Sequence, residues 1–167
     1  MNLKTLKNYV VVLVLIVSSY SLASAQRNQS YIEKYSPVAQ EMMHEHGVPA
    51  SVILAIAIHE SGSGSSKIAK NLNNHFGVKG KNNSKVIRSA YKGYMSVLDS
   101  YNDFISVVKR RKATSNLFEN SRGGNYRAWV RALAKSGYSR TSDWASKVIK
   151  TIETYDLDNY DQTSSST

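Results

Sequence analysis

Cysteine is absent from all 167 residues. That absence excludes disulfides, thiolate metal sites and a lipid-modified cysteine as a tether. Histidine is sparse: His44, His46, His59 and His75 stand at irregular spacings. His59-Glu60 lacks the second histidine of an H-E-x-x-H zinc signature, because Ser63 occupies that place. Neither a metal nor a cofactor is expected. A serine-nucleophile elbow is also missing: Gly62-Ser63-Gly64 is short of G-x-S-x-G and follows a helical pattern instead of a strand. Acidic residues are few, 12 against 22 Lys and Arg, for a formal net charge of +10. No Asp or Glu lies between Glu60 and Asp99. Apolar runs are short. Tyr9 to Val17 is too brief to span a bilayer and no later stretch is longer, so no stable membrane insertion is expected.

The N-terminus has the form of a secretory signal. Lys4 and Lys7 make a positive start, Tyr9 to Val17 an apolar centre, and Ala23-Ser24-Ala25 an A-x-A cleavage site. A signal peptide is expected over residues 1–25, with a mature chain from Gln26 acting in the periplasm or outside the cell. Residues 26–167 suffice for one domain with a real core, expected as a monomer. Only two of the 22 basic side chains fall in the leader, so the domain stays basic. A basic exported domain favours anionic partners: cell wall, nucleic acid and membrane surface all qualify.

Residues 26–30 read as a short polar lead-in. Ser36-Pro37 suits a helix start, with Val38, Ala39, Met42 and Met43 on one face and Gly47 as terminator. Pro49 opens the next helix. Ser65 or Ser66 can cap a short helix through Lys70. Lys81 to Lys92 is the one β region, with Val86-Ile87 and Tyr91 as short strands. Ser96 and Asp99 form a helix-start pair ahead of Val97, Tyr101, Phe104, Ile105 and Val108. Arg122-Gly123-Gly124 is a loop. Tyr126 to Ser136 is a helix closed by Gly137, and Ser142-Asp143 starts a last one carrying Trp144, Val148, Ile149 and Ile152 inward. Residues 158–167 are polar and expected to be a flexible tail. The expected fold is α+β and mostly α-helical: five or six helices, with a small β lobe facing a helical lobe across a cleft. Such clefts hold extended substrates.

Glu60 is the most informative residue. It follows Val52-Ile53-Leu54-Ala55-Ile56-Ala57-Ile58, a helix apolar on every side and therefore buried. A glycine-rich turn, Ser61-Gly62-Ser63-Gly64, comes next and permits close approach of other chain segments. Burial favours the protonated form of a carboxyl, which a general acid needs. The plainer alternative is a helix-end glutamate that reaches solvent.

Residues 47–62, from Gly47-Val48-Pro49 to His59-Glu60-Ser61-Gly62, resemble the first signature of the glucosaminidase domain family. Members of this family are peptidoglycan-cleaving endo-β-N-acetylglucosaminidases and include the flagellar muralytic domain. Asn73-Asn74-His75-Phe76-Gly77-Val78-Lys79-Gly80 resembles the second signature. Tyr94-Met95-Ser96 with Asp99-Ser100-Tyr101 and Phe104 resembles the third, and Ala132 to Tyr138 followed by Trp144-Ala145 the last. Together they cover residues 31–157. The resemblance implies a lysozyme-like fold, peptidoglycan glycan strands as partner, and hydrolysis of the bond between N-acetylglucosamine and N-acetylmuramic acid. It aligns Glu60 with the catalytic general acid and Tyr138 with a tyrosine at the reaction centre. Asn74, Phe76, Tyr91 and Tyr94 are candidates for sugar contact, since amides and aromatic faces suit pyranose rings. Phe76 suits plain packing equally well.

One departure is chemical. Many members carry a second glutamate in the β lobe, and glycosidases usually pair two carboxyls. Lys85 to Tyr94 contains no acid, and Ser89 stands near the missing position. Another acid can supply the base, the substrate's acetamido group can replace it, or activity is lost. Asp99 and Asp103 suit capping or flanking their helix. Lys109-Arg110-Arg111-Lys112 suits either a solvated helix end or attraction to anionic wall polymers. The rival readings are a catalytically impaired wall-binding module, a lytic transglycosylase and, on charge alone, a nucleic-acid binder. Nucleic acid is not the expected partner.

Overall fold

A computed structural model gives the structure over residues 3–120 and 124–162. Seven α-helices follow in order among the described residues: α1 Leu3–His46, α2 Ala50–Ser61, α3 Lys67–Leu72, α4 Val97–Lys109, α5 Lys112–Asn120, α6 Tyr126–Lys135 and α7 Trp144–Thr154. A 3-10 helix, Leu157–Asp161, closes the chain. The fold is mostly helical, as expected.

α2 is the axis of the domain. Every residue from Ala50 to Ile58 is buried, and α1, α6, α7 and the 3-10 helix pack around it. Burying each Val, Leu or Ile contributes on the order of 1.5–3 kcal/mol, so this run fixes the core. Its N-terminus has an unusual cap. Pro49 makes no side-chain cap bond. Instead Asp161 accepts from the Ser51 amide at 2.8 Å and the Ser51 hydroxyl at 2.6 Å. A carboxylate there satisfies an orphan amide and meets the positive helix end. Residues 158–161 are therefore tied to the core and not part of a flexible tail; residues 163–167 lie outside the described residues.

α1 differs from the expected start at Ser36. It runs straight through Pro37, and the expected lead-in at residues 26–30 is helical. Tyr31 and Ile32 extend the buried stripe of Ala39, Met42 and Met43. Their burial offsets the cost of an internal proline, about 3 kcal/mol. Asn28 joins the domain by donating to the Tyr155 hydroxyl at 2.6 Å.

The other ends follow the sequence signals. Ser66 caps α3, and Ser96 with Asp99 forms a full capping box on α4. α5 has little sequence signal, since Thr114, Ser115 and Asn116 are indifferent helix formers. Phe118 against Trp129, 4.9 Å between ring centres, and a Thr114 hydroxyl bond to the Val108 carbonyl hold it in place. Of the expected Arg122–Gly124 loop, only Gly124 lies within the described residues.

The expected β lobe reduces, among the described residues, to one antiparallel bridge between Lys79 and Tyr91. Val86 is 81% exposed, so the segment has no buried apolar face on which a sheet could form. Asparagines hold it instead. Asn82 Nδ2 donates to the Ser89 and Tyr91 carbonyls, and Asn74 Nδ2 to the Val78 and Lys92 carbonyls.

Candidate active site

α2 ends where the site begins. Gly62 takes a left-handed conformation (φ +57°) and its amide bonds the Ile58 carbonyl. That stop leaves Glu60 on the last turn, half-buried after a run that is buried from Ala50 to Ile58. Trp144 Nε1 donates to Glu60 Oε1 at 2.8 Å. The other oxygen faces Gly77, where a Cβ would stand 3.0 Å from Oε2. Gly77 also has φ +64°, so both contact and conformation require glycine there.

Tyr138 forms the opposite wall. A left-handed Gly137 (φ +74°) ends α6 and turns the chain inward. The Tyr138 hydroxyl donates to the Phe76 carbonyl at 2.8 Å, and its ring meets Trp144 at 5.2 Å between centres. Burial pushes its phenol well above the ordinary pKa, and the Glu60 charge adds to this against Arg111. Tyr138 therefore keeps its proton at neutral pH. The Arg111 guanidinium lies 5.2 Å from the centre of that ring and donates to the Ser136 carbonyl and hydroxyl, each at 2.8 Å.

Glu60, Phe76, Tyr91 and Tyr138 line one cleft of about 530 Å³. Lys79, Arg110, Arg111 and Arg140 line it too, and Glu60 is the one carboxylate among the lining residues. Phe76 enters mainly through its backbone: its ring is 1% exposed and stacks on Phe104 at 4.2 Å. Asn74 does not line the cleft. It is 1% exposed, and its amide is spent bracing Val78 and Lys92. Tyr94 lines a separate groove with Asn71, Asn82 and Met95, and donates to Asp103 at 2.7 Å.

No second carboxylate is supplied by the expected neighbours. Asp99 accepts from the Ser96 amide in the capping box. Asp103 is paired with Lys92 at 2.9 Å. Burial raises its pKa, but bonds from Tyr94 and Lys92 and nearby cations outweigh this and hold it below the usual range. Ser89, near the missing glutamate, accepts from Asn82. Among the described residues no group of three or more His, Asp or Glu is arranged to hold a metal.

Residues 36–157 match the glucosaminidase family, described as mannosyl-glycoprotein endo-beta-N-acetylglucosaminidase. The chain belongs to the glucosaminidase family of glycoside hydrolases. It is 32% identical over 154 residues to the exo-glucosaminidase LytG of Bacillus subtilis, covering 80% of this chain and 54% of that protein. To the peptidoglycan hydrolase FlgJ of Vibrio cholerae it is 24% identical, covering 81% of this chain and 48% of the relative. The chain thus spans about half the length of these curated relatives. The catalytic domain of the Listeria monocytogenes autolysin Auto superposes with a TM-score of 0.68 at 24% identity, covering 80% of this chain and 87% of that one. The Salmonella typhimurium FlgJ glycoside hydrolase domain does so at 0.60 and 22%, covering 77% and 88%. These likenesses show the fold.

The sequence did not single out three contributors to this cleft, although one of them, Arg111, stands in the basic run read as a solvated helix end or an attraction to anionic wall polymers. Trp144 reads as a core residue. Its single N–H was the available signal, because a buried indole usually finds an acceptor. Arg111 was hidden in a basic run, where only contact with α6 separates it from its exposed neighbours. Arg140 stands two residues past Tyr138 and carries no pattern of its own.

Proposed function

We propose that the protein is an exported peptidoglycan hydrolase that cleaves the β-1,4 bond between N-acetylglucosamine and N-acetylmuramic acid. Glu60 is its general acid and the substrate's own acetamido group its nucleophile. The observation that carries this reading is the lone carboxylate: Glu60 stands in a cleft whose other charged lining residues are cations. A two-carboxylate mechanism has no second group there among the described residues, and an acetamido oxygen can take its role.

In this reaction the protonated Glu60 gives its proton to the glycosidic oxygen as the C1–O bond breaks. The acetamido carbonyl oxygen of the same N-acetylglucosamine bonds to C1 and forms an oxazolinium ion. Water then attacks C1 and returns a proton to the Glu60 carboxylate, regenerating the acetamide and leaving a reducing end. Trp144 fixes one carboxyl oxygen so that the other meets the leaving group. Tyr138, held neutral, offers its hydroxyl oxygen to the acetamido N–H. Tyr91 lies against the sugar ring. Export follows from the leader over residues 1–25.

Glu60→Gln tests the assignment. Loss of a general acid lowers turnover by about 10²–10⁴-fold. Glycan release from purified peptidoglycan should fall by that factor with an unchanged circular dichroism spectrum. An undiminished rate would contradict the role of Glu60. Anhydro ends in the products of the unaltered protein would assign a lytic transglycosylase, which also manages with one glutamate.

A further inference from the structure

A second cavity of about 400 Å³ lies behind the Ser61–Gly64 turn, between α1, α3 and the start of α4. Asn73 and His75 line it, whereas Phe76 and Gly77 line the Glu60 cleft, so one short segment walls both. Three cations surround it: Arg27, Lys34 and Lys70. None of the three is ion-paired among the described residues, and no Asp or Glu lines the cavity. Lys34 Nζ is poised 5.2 Å from the centre of the Tyr35 ring.

The floor is aromatic and directional. Tyr31 bonds His75 Nδ1 at 2.5 Å and the Tyr101 hydroxyl at 2.9 Å. In the tautomer in which Tyr31 donates to Nδ1, the imidazole carries its proton on Nε2. That nitrogen has no hydrogen-bond partner among the described residues and is not one of the sealed, unpartnered atoms, so it is open to the cavity that His75 lines. Gly64 keeps the space open: at φ +74° a Cβ there would meet His75 Cε1 at 3.3 Å and Tyr31 Cε2 at 3.4 Å. An N–H donor, a guanidinium and two ammonium groups around an aromatic floor suit a carboxylate on an organic body.

We propose that this cavity is an anion subsite that takes a stem-peptide carboxylate of the peptidoglycan strand lying in the neighbouring cleft. The inference rests on the peptidoglycan reading for its ligand. Stem peptides branch from the muramic acid residues, so a strand in one cavity can place a branch over the shared wall into the other. Such a contact anchors the wall polymer by its peptide while the cleft handles its sugars.

The test is calorimetric titration of the Glu60→Gln protein, which cannot consume its ligand. The probes are stem tetrapeptide released from peptidoglycan by an amidase, the same peptide with its carboxylates amidated, and a glycerol phosphate oligomer. The tetrapeptide should bind, and adding Arg27→Gln, Lys34→Gln and Lys70→Gln should weaken it by about tenfold or more. Arg27→Lys with Lys34→Arg and Lys70→Arg should keep most of the affinity, which separates charge from folding. Equal affinity in the neutralised variant, or equal binding of the amidated peptide, would overturn the proposal. Binding of the phosphate oligomer without the peptide would also overturn it and assign the site to wall phosphate. Free peptide needs no cleavage, so this result stands apart from any failure of the hydrolase reading.

Discussion

At the scale of single residues, the site depends on what surrounds Glu60. The carboxyl is aimed by one indole N–H and given room by one glycine. Trp144→Phe removes the donor and keeps an aromatic ring against Tyr138. A hydrogen bond to a charged group contributes about 1.5–3 kcal/mol, so turnover should drop by roughly ten- to a hundredfold. The measurement is kcat on peptidoglycan at a temperature where the variant is fully folded. An unchanged kcat would show that Trp144 packs without aiming the acid. Glu60 was legible in the sequence because an apolar run and a glycine turn frame it. Trp144 was not, because its partner lies 84 residues away. Asn74 and Tyr94 had the right chemistry for sugar. Their hydrogen bonds point to Val78, Lys92 and Asp103 instead, which no local pattern reveals.

At the scale of elements, α2 organises everything else. Its apolar sequence gives its burial directly, and the capping signals before α3 and α4 set their starts. The 3-10 helix closes the far end of α2 through Asp161. Burial raises the Asp161 pKa against the two bonds from Ser51. Asp161→Ala should lower stability by about 1–2 kcal/mol, read as a lower urea midpoint at constant slope. An unaltered midpoint would mean that Ser51 finds another partner. This closure was not readable from a polar C-terminal stretch, since the contact spans 110 residues. The same limit explains α1 and α5. A proline reads as a start until Tyr31 and Ile32 are seen packed, and α5 depends on Phe118 reaching Trp129.

At the scale of the whole molecule, a basic domain keeps Glu60, the one cleft carboxylate among the described residues, among cations and keeps a neutral histidine in its core. Burial, with Lys34 nearby, lowers the His75 pKa from 6.5 to about 4. The unfolded chain therefore takes up a proton before the folded one does. The stability contributed by keeping His75 neutral is complete above about pH 6.5 and is lost as pH falls toward 4. It amounts to at most ~3 kcal/mol. Urea midpoints should drop more steeply over that range in the unaltered protein than in His75→Phe; parallel slopes would contradict the assignment. The central claim concerns the bond that is cut. Purified peptidoglycan is digested with the protein, the products are reduced with borohydride, and the new ends are read by mass spectrometry. Reduced N-acetylglucosamine ends are the predicted result. Reduced N-acetylmuramic acid ends, or no new ends while the protein stays bound to the wall, would contradict it.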